Sequence, residues 1–325
     1  MNDASTAHPA PRVTVVIAAW KAASTLDRAI ESALAQTIPV EVIVVDDASP
    51  DSTAAVADSH ARRDRRVTLL RQIQNQGPAT ARNRAIAESH APWIAVLDSD
   101  DFMDPERLER LVEIAEAEGL DFLADDLFKV SEDDLSGPRT RLWSAEDFKP
   151  FKVDAETFIR GNLSTSHGGR REMGFVKPLM RRAFLDRHRL TYADMRLGED
   201  YDLYARALIL GARFRMINPR GYVAVVRPGS LSGQHATDAH RALIEADLRM
   251  LDMPEADSAT RAALRAHLIE ERKKWAWRRL IDAVKARDPG AALSCFAAPP
   301  AVILDLIGRL AEQVWLRGAR RLKRG

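Results

Sequence analysis

The chain has 325 residues, 46% of them hydrophobic, enough to bury a substantial core as one large domain or two smaller ones. Its 48 Lys and Arg nearly balance its 47 Asp and Glu, so no global positive field points to nucleic acid and no acidic excess to a disordered chain. The single cysteine, Cys295, excludes an intrachain disulfide framework or a cysteine metal cage; it fits a reducing compartment and, beside Phe296, reads as a core filler.

In chain order, residues 1–11 carry neither a basic n-region nor an apolar h-region and read as a disordered leader. No segment approaches the roughly 18 uninterrupted apolar residues of a membrane span, which points to a cytoplasmic protein. VTVVIAA (13–19) has the length and β-branching of a strand buried on both faces. Ser24 is placed as the N-cap, with Asp27 three residues on, of a helix LDRAIESALAQ. The unit then repeats: strand EVIVV (41–45), helix AAVADSHARR, strand VTLLRQ (67–72), a helix from about Pro78, and strand PWIAVL (92–97). Such alternation predicts a mostly parallel α/β sheet with right-handed crossovers and ligands beyond the carboxyl ends of its strands.

The unusual residues fall at those ends: Ala19-Trp20, Asp46-Asp47, and Asp98-Ser99-Asp100-Asp101. Turn and cap chemistry explains Asp46-Asp47 equally well, and core packing explains Trp20 equally well. Capping of the helix near Pro105 is the weaker account of LDSDD, because Asp104 is already placed for it. Crowded carboxylates repel one another and call for a cation, a proton or much water. The first turn, AAWKAAST, lacks the glycines of a dinucleotide site, and no P-loop pattern occurs. Nucleotide phosphates bound here would be neutralised by a divalent cation on one or two carboxylates. If the strand continues, Asp98 and Asp100 point to one side and Asp101 to the other.

In order, VVIAAW, VEVIVVDDASPDST, NQGPATARNRAI, PWIAVLDSDD and GEDYDLYARAL resemble the family 2 inverting glycosyltransferases of GT-A fold over about residues 11–235. GFVKPLMRR, LGEDYDLYARALILGARF and RPGSLS further resemble bacterial succinoglycan-type exopolysaccharide glucosyltransferases. The resemblance implies a metal-dependent (Mn²⁺ or Mg²⁺), inverting transfer of a hexose, glucose by the finer likeness, from a UDP-sugar to a saccharide, lipid-linked in an exopolysaccharide pathway. The Gln-x-x-Arg-Trp box of the family's processive synthases is echoed only by Glu271-Arg272-Lys273-Lys274-Trp275, which with no spanning helix reads as single addition. It places Ala18, Ala19 and Trp20 near the uracil, Asp47 on its N3 proton, Arg82 in the nucleotide region and Asp98, Ser99 and Asp101 near the donor. Asp100 falls to the metal, Asp200 to the catalytic base and Glu199 to the acceptor. Arg227 and Ser230 resemble a loop closing over the diphosphate, and His235 resembles a metal or phosphate contact. Ala18 and Lys21 depart from the family's usual first-turn residues.

On spacing alone, Glu199 and Asp200 read as first-turn caps of the helix YDLYARALILGA, and Arg227, Ser230 and His235 as solvated loop residues. The glycine-rich, basic HGGRREMGFVKP (167–178) suits a mobile acceptor loop or an ordinary surface loop. The expected division is a donor half 12–104, an acceptor half 105–237 and a helical extension 238–325. In the last helix, Val302, Ile303, Leu306, Leu310, Val314 and Trp315 accompany a basic end, Arg317, Arg320, Arg321, Lys323 and Arg324. That pattern suits peripheral contact with an anionic membrane, or packing on the domain or on a second copy in a homodimer. Two rival functions are a sugar nucleotidyltransferase, whose glycine-rich signature is missing, and a non-catalytic sugar-nucleotide-binding scaffold.

Overall fold

Apolar β-branched runs become strands because each buries both faces, and here they do so in strict alternation. The computed structural model describes residues 9–164, 173–227 and 237–322. Strands β1 (Val13–Ala19), β2 (Val40–Asp46), β3 (Val67–Arg71) and β4 (Trp93–Val96) alternate with helices α1 (Leu26–Leu34), α2 (Thr53–Arg63) and α3 (Pro78–Ala87). Val13, Val15 and Ile17 pack with Leu26 and Ile30 on one side of the sheet, whereas Val16, Ile43 and Val45 pack with Ala81 and Ala85 on the other. Each fully buried Val or Ile contributes about 1.5–3 kcal/mol, so neither face can be exchanged for solvent.

The second half brings β5 (Phe102–Met103), α4 (Arg107–Ala117), β6 (Phe122–Asp125), β7 (Phe128–Ser131), β8 (Thr140–Arg141), β9 (Phe151–Val153) and α5 (Ala155–Gly161). After one 3₁₀ turn, Met173–Phe175, come β10 (Leu179–Arg181), α6 (Arg182–His188), α7 (Glu199–Ile209), β11 (Phe214–Ile217) and β12 (Tyr222–Val226). The central sheet has eight strands in the order β3-β2-β1-β4-β10-β6-β11-β9, and a second sheet runs β5-β12-β7-β8. The central sheet is mixed: β10 runs antiparallel to both β4 and β6, and β9 antiparallel to β11.

Helices α8 (Thr237–Leu251), α9 (Ser258–Ala286), α10 (Pro289–Ser294) and α11 (Pro300–Leu322) complete the fold. Among the described residues no helix is long and apolar enough to cross a membrane. Cys295 is buried against Ala276, Leu280, Val302 and Leu306. On α11, Val302 and Leu306 pack inward, while Leu304, Ile307, Leu310 and Trp315 are exposed. Its basic end lies outside the described side chains.

Two local expectations are corrected. Helix α1 begins at Leu26, with Thr25 in place of Ser24 at its N-cap, and Asp27 accepts from the His60 ring at 2.7 Å. Asp104 does not cap α4, whose N-cap is Glu106; its carboxylate instead takes the fork of Arg139 at 2.6 and 2.9 Å. A bidentate guanidinium offers the carboxylate more than one backbone amide would.

Candidate active site

Strand β4 ends at Val96, and the chain turns at once, the Asp101 amide donating to the Asp98 carbonyl at 3.1 Å. Strand alternation therefore does not govern the four residues Asp98-Ser99-Asp100-Asp101, and the expected pairing of Asp98 with Asp100 on one side is corrected. The three carboxylates point to three environments, yet Asp98 still acts on both of its neighbours.

Asp98 reaches across to side chains from α3 and from the segment ahead of β10. Its Oδ1 accepts from Arg82 Nη2 at 2.9 Å and its Oδ2 lies 3.1 Å from Lys177 Nζ. Burial works against its charge, but Lys177 and Arg82 outweigh burial and hold its pKa down at about 2. Asp101 turns inward, accepting from the Tyr222 hydroxyl and the Val225 amide, each at 2.9 Å. Burial, Asp98 and Asp100 together push Asp101 up to about 7. Asp100 is the carboxylate left toward solvent, its side chain 44% exposed and 3.8 Å from Arg227. Burial and then Asp98 raise its pKa. Ser99 is partly exposed in the same turn.

Arg82, 4% exposed, projects from α3 into the centre. Its Nη1 donates to Glu199 at 2.9 Å and to Asp200 at 3.1 Å. The other oxygen of Asp200 accepts from Lys177 Nζ at 2.9 Å. Asp98, Arg82, Asp200 and Lys177 thus form a closed ring of alternating charge, with Glu199 attached through Arg82. Burial and then Asp200 raise the Glu199 pKa against the pull of Arg82. The flanking ions keep both Arg82 and Lys177 protonated although burial opposes it.

Glu199 and Asp200 do occupy the first turn of α7, but neither caps it through a hydrogen bond; the N-cap is Gly198, at φ 78°. A side chain at Gly198 would favour a different backbone and would also strike Leu243, so glycine sets where the two carboxylates start.

On the opposite flank, Ala18 and Ala19 end β1 beside Val45 and Asp46, and Trp20 is 45% exposed with Lys21 Nζ 4.5 Å from its ring centroid. Trp20 is therefore not a core residue. Asp47 is buried, its carboxylate accepting from Gln72 Nε2 at 2.6 Å and from the Gln76 and Gly77 amides, each at 2.8 Å, at the entry to α3. Arg227 lies 3.3 Å from Glu132 as well as near Asp100. Ser230 and His235 lie outside the described residues, as does most of the glycine-rich stretch, residues 165–172.

Two site residues receive no role from the sequence. Lys177 lies within the stretches HGGRREMGFVKP and GFVKPLMRR without being singled out there, and Arg28 is one polar position on α1. Arg28 Nη2 donates to the Asp100 carbonyl at 2.5 Å, and its guanidinium lies 5.5 Å from the Phe102 ring centroid.

The donor set can be tested for a divalent cation. Among the described residues no group of three His, Cys, Asp or Glu side chains could hold a metal ion unaided. A cation that takes one or two carboxylates and completes its shell with substrate phosphates is the kind the site fits, because Asp100 is solvent-facing and strained by Asp98.

The sequence profile of glycosyl transferase family 2 matches residues 14–176. The chain is 42% identical over 299 residues to the succinoglycan biosynthesis protein ExoU of Rhizobium meliloti (strain 1021), covering 91% of this chain and 86% of that one. Among solved structures, S. aureus TarS 1-349 in complex with UDP-GlcNAc aligns with a TM-score of 0.63 at 16% identity over 87% of this chain and 90% of that one. Mannosyltransferase PcManGT of Pyrobaculum calidifontis, in complex with GDP-Man and Mn²⁺, gives 0.55 at 18% identity over 94% and 87%. The fold is accordingly GT-A, and the chain belongs to glycosyl transferase family 2.

Proposed function

We propose that this glycosyltransferase moves a hexose, glucose by its likeness to a succinoglycan enzyme, from a UDP-sugar to a saccharide carried on a lipid, with inversion and by single addition. The observation that carries the reading is the alternating ring. It brings the turn after β4 within one side chain of Asp200, which supports reading donor and base as parts of one site. In this reading Trp20 stacks near the uracil, Asp47 accepts from it with Ala18 and Ala19 alongside, and Ser99, Asp98 and Asp101 shape the donor sugar site. Arg227, with Ser230 and His235 from the segment that follows, takes the diphosphate side.

Asp200 removes the proton of the acceptor hydroxyl as its oxygen attacks the anomeric carbon. The bond to the diphosphate breaks with its electron pair leaving on UDP, and Glu199 orients the acceptor. General-base help of this kind is typically worth about 10²- to 10⁴-fold. A Mn²⁺ or Mg²⁺ ion held by Asp100, with His235 as a further candidate ligand, would supply charge neutralisation for the departing diphosphate. Residues 12–104 form the donor half, 105–237 the acceptor half, and 238–325 the extension.

A lipid-linked acceptor sets the working place at the inner face of the plasma membrane, with the exposed Leu304, Ile307, Leu310 and Trp315 of α11 as the contact surface. Flotation with anionic vesicles tests that contact, and a dimer that buries the same face would replace it.

The deciding experiment is calorimetric titration with UDP, UDP-glucose, UDP-galactose and GDP-mannose, with Mn²⁺ or Mg²⁺ and then with chelator. Metal-dependent UDP binding with UDP-glucose preferred is the expected result. Indifference to every nucleotide would reduce the site to a scaffold.

A further inference from the structure

The ring raises a question of access, because both oxygens of Asp200 are taken by cations and the residue is only 7% exposed. Oδ1 accepts from Arg82 and Tyr204 and Oδ2 from Lys177 alone, so Oδ2 keeps a lone pair, but in so buried a site one contact must loosen for an acceptor hydroxyl to reach it. Arg82 is the poor candidate. Its fork is fixed by Glu199 and Asp98 as well as by Asp200, so releasing Asp200 would distort three contacts.

Lys177 is differently built. Its ammonium ends a flexible stem and already lies 3.1 Å from Asp98 Oδ2, so a small pivot moves it wholly onto Asp98. Its backbone, in contrast, is held firmly. The Lys177 carbonyl accepts from Arg107 Nη2 at 2.8 Å, and Arg107, fully buried, is paired with the equally buried Asp125 at 2.7 Å. The antiparallel register that sets Leu179 opposite Ala95 brings Lys177 level with the end of β4, beside Asp98. A fixed root and a movable tip are what a yielding counter-ion requires.

Resting on the transferase reading above, we propose that Lys177 is a positioning residue for the base: it holds Oδ2 of Asp200 in place and opens that oxygen to the acceptor hydroxyl by pivoting onto Asp98. Among the described residues the groups facing Asp200 are Arg82 from α3, Lys177 ahead of β10, Tyr204 and Glu199 from α7, Tyr192 from the preceding loop, and Asp98 across the ring. Of the two cations, Lys177 is the one whose flexible tip can leave Asp200 and keep its other ion pair without disturbing a shared fork.

The test uses the full chain, UDP-glucose as donor with water as acceptor, and UDP release as the signal. Lys177→Met is expected to lower kcat by about 10²-fold or more, the low end of general-base loss, with KM for UDP-glucose changed only slightly. Lys177→Arg restores part of that loss. Lys177→Ala is restored in part by added methylammonium, in a saturable way. Thermal melting and metal-dependent UDP titration confirm the fold of each variant, and Lys177→Gln replaces the Met variant if the latter fails to fold. Unchanged kcat in Lys177→Met overturns the proposal while leaving the transferase reading intact. Equal loss in every variant, with no rescue by the amine, overturns it in favour of a purely structural lysine. A wild-type chain that binds UDP-glucose but never releases UDP would sink the transferase reading itself, and the proposal with it.

Discussion

Arg82→Met is the sharpest test of the ring. In the wild type three carboxylates, Asp98, Glu199 and Asp200, are met by two cations, Arg82 and Lys177. Methionine removes three hydrogen bonds and leaves one cation for three acids, Asp200 buried and Asp98 and Glu199 partly so. Breaking a buried pair by deleting one partner costs about 3–5 kcal/mol, and at about 2 °C per kcal/mol for a chain of this size the melting temperature should fall by roughly 6–10 °C. The loss should depend on pH in a definite direction. Glu199 already has a raised folded pKa, and removing Arg82 raises it further, so the folded protein then binds the proton more tightly than the unfolded chain. The penalty is therefore small below the unfolded value of 4.5 and grows as pH rises through the folded value. Thermal scans of both proteins at pH 5 and pH 8 read this directly. A variant within about 1 kcal/mol of wild type at pH 8, the range of an ordinary exposed pair, would refute the claim that the ring is a buried, mutually dependent unit.

Asp200→Asn leaves two carboxylates to two cations, so the fold should hold and UDP affinity stay unchanged, while UDP release from UDP-glucose falls by about 10²- to 10⁴-fold; unchanged turnover would remove Asp200 from the chemistry. With Asp100→Ala, UDP titrations with Mn²⁺ and with chelator should coincide, and a surviving metal dependence would place the ion elsewhere. His267, stacked at 4.4 Å on Tyr201, bonds Asp247 at 2.7 Å, and although burial opposes its charge, Asp247 and the nearby Glu271 and Glu270 raise its pKa. A raised folded pKa gives stability that is complete below the unfolded value of 6.5 and lost as pH climbs through the folded value. His267→Leu should therefore cost about 1–3 kcal/mol near pH 6 and less at pH 9, and a constant difference across that range would show that the ring stays neutral.

How far the sequence reaches depends on whether a feature is local. The runs that became β1 to β4 are near-continuous Val, Ile and Ala, and alternation within each run assigns its residues to opposite faces of the sheet without knowledge of any partner. The carboxylates after β4 were legible as chemistry but not as geometry. Alternation assumes the chain stays extended, and it turns where three acids would otherwise crowd. Lys177 was not legible because its neighbour, Asp98, is set by the antiparallel insertion of β10 between β4 and β6, a pairing of segments about 80 residues apart that no local pattern encodes. Arg82 could be named by resemblance, but not its three partners. On α11 the apolar positions were visible and their division was not, since only the packing against α9 separates the inward Val302 and Leu306 from the outward Leu304, Ile307 and Trp315.

The same helix that presents Asp200 to the ring is held from behind by the helices that follow the sheet. Successive residues of a helix point about 100° apart, so when Asp200 faces Arg82, Tyr201 must face elsewhere. Its hydroxyl donates to Asp247 of α8 at 2.9 Å, its ring stacks on His267 of α9, and its other face lies 5.9 Å from Phe158 of α5. Nearby, His240 of α8 and Lys274 both contact the buried Glu271 of α9, at 2.7 and 2.6 Å. Buried polar networks of this kind fix one arrangement because any other leaves a donor or acceptor unpaired. A chain ending after β12 would keep the ring's residues and Phe158 but lose Asp247 and His267, two of the three partners of Tyr201, and α7 would be freer to shift. The C-terminal helices are thus part of the support that fixes the direction of the Asp200 carboxylate.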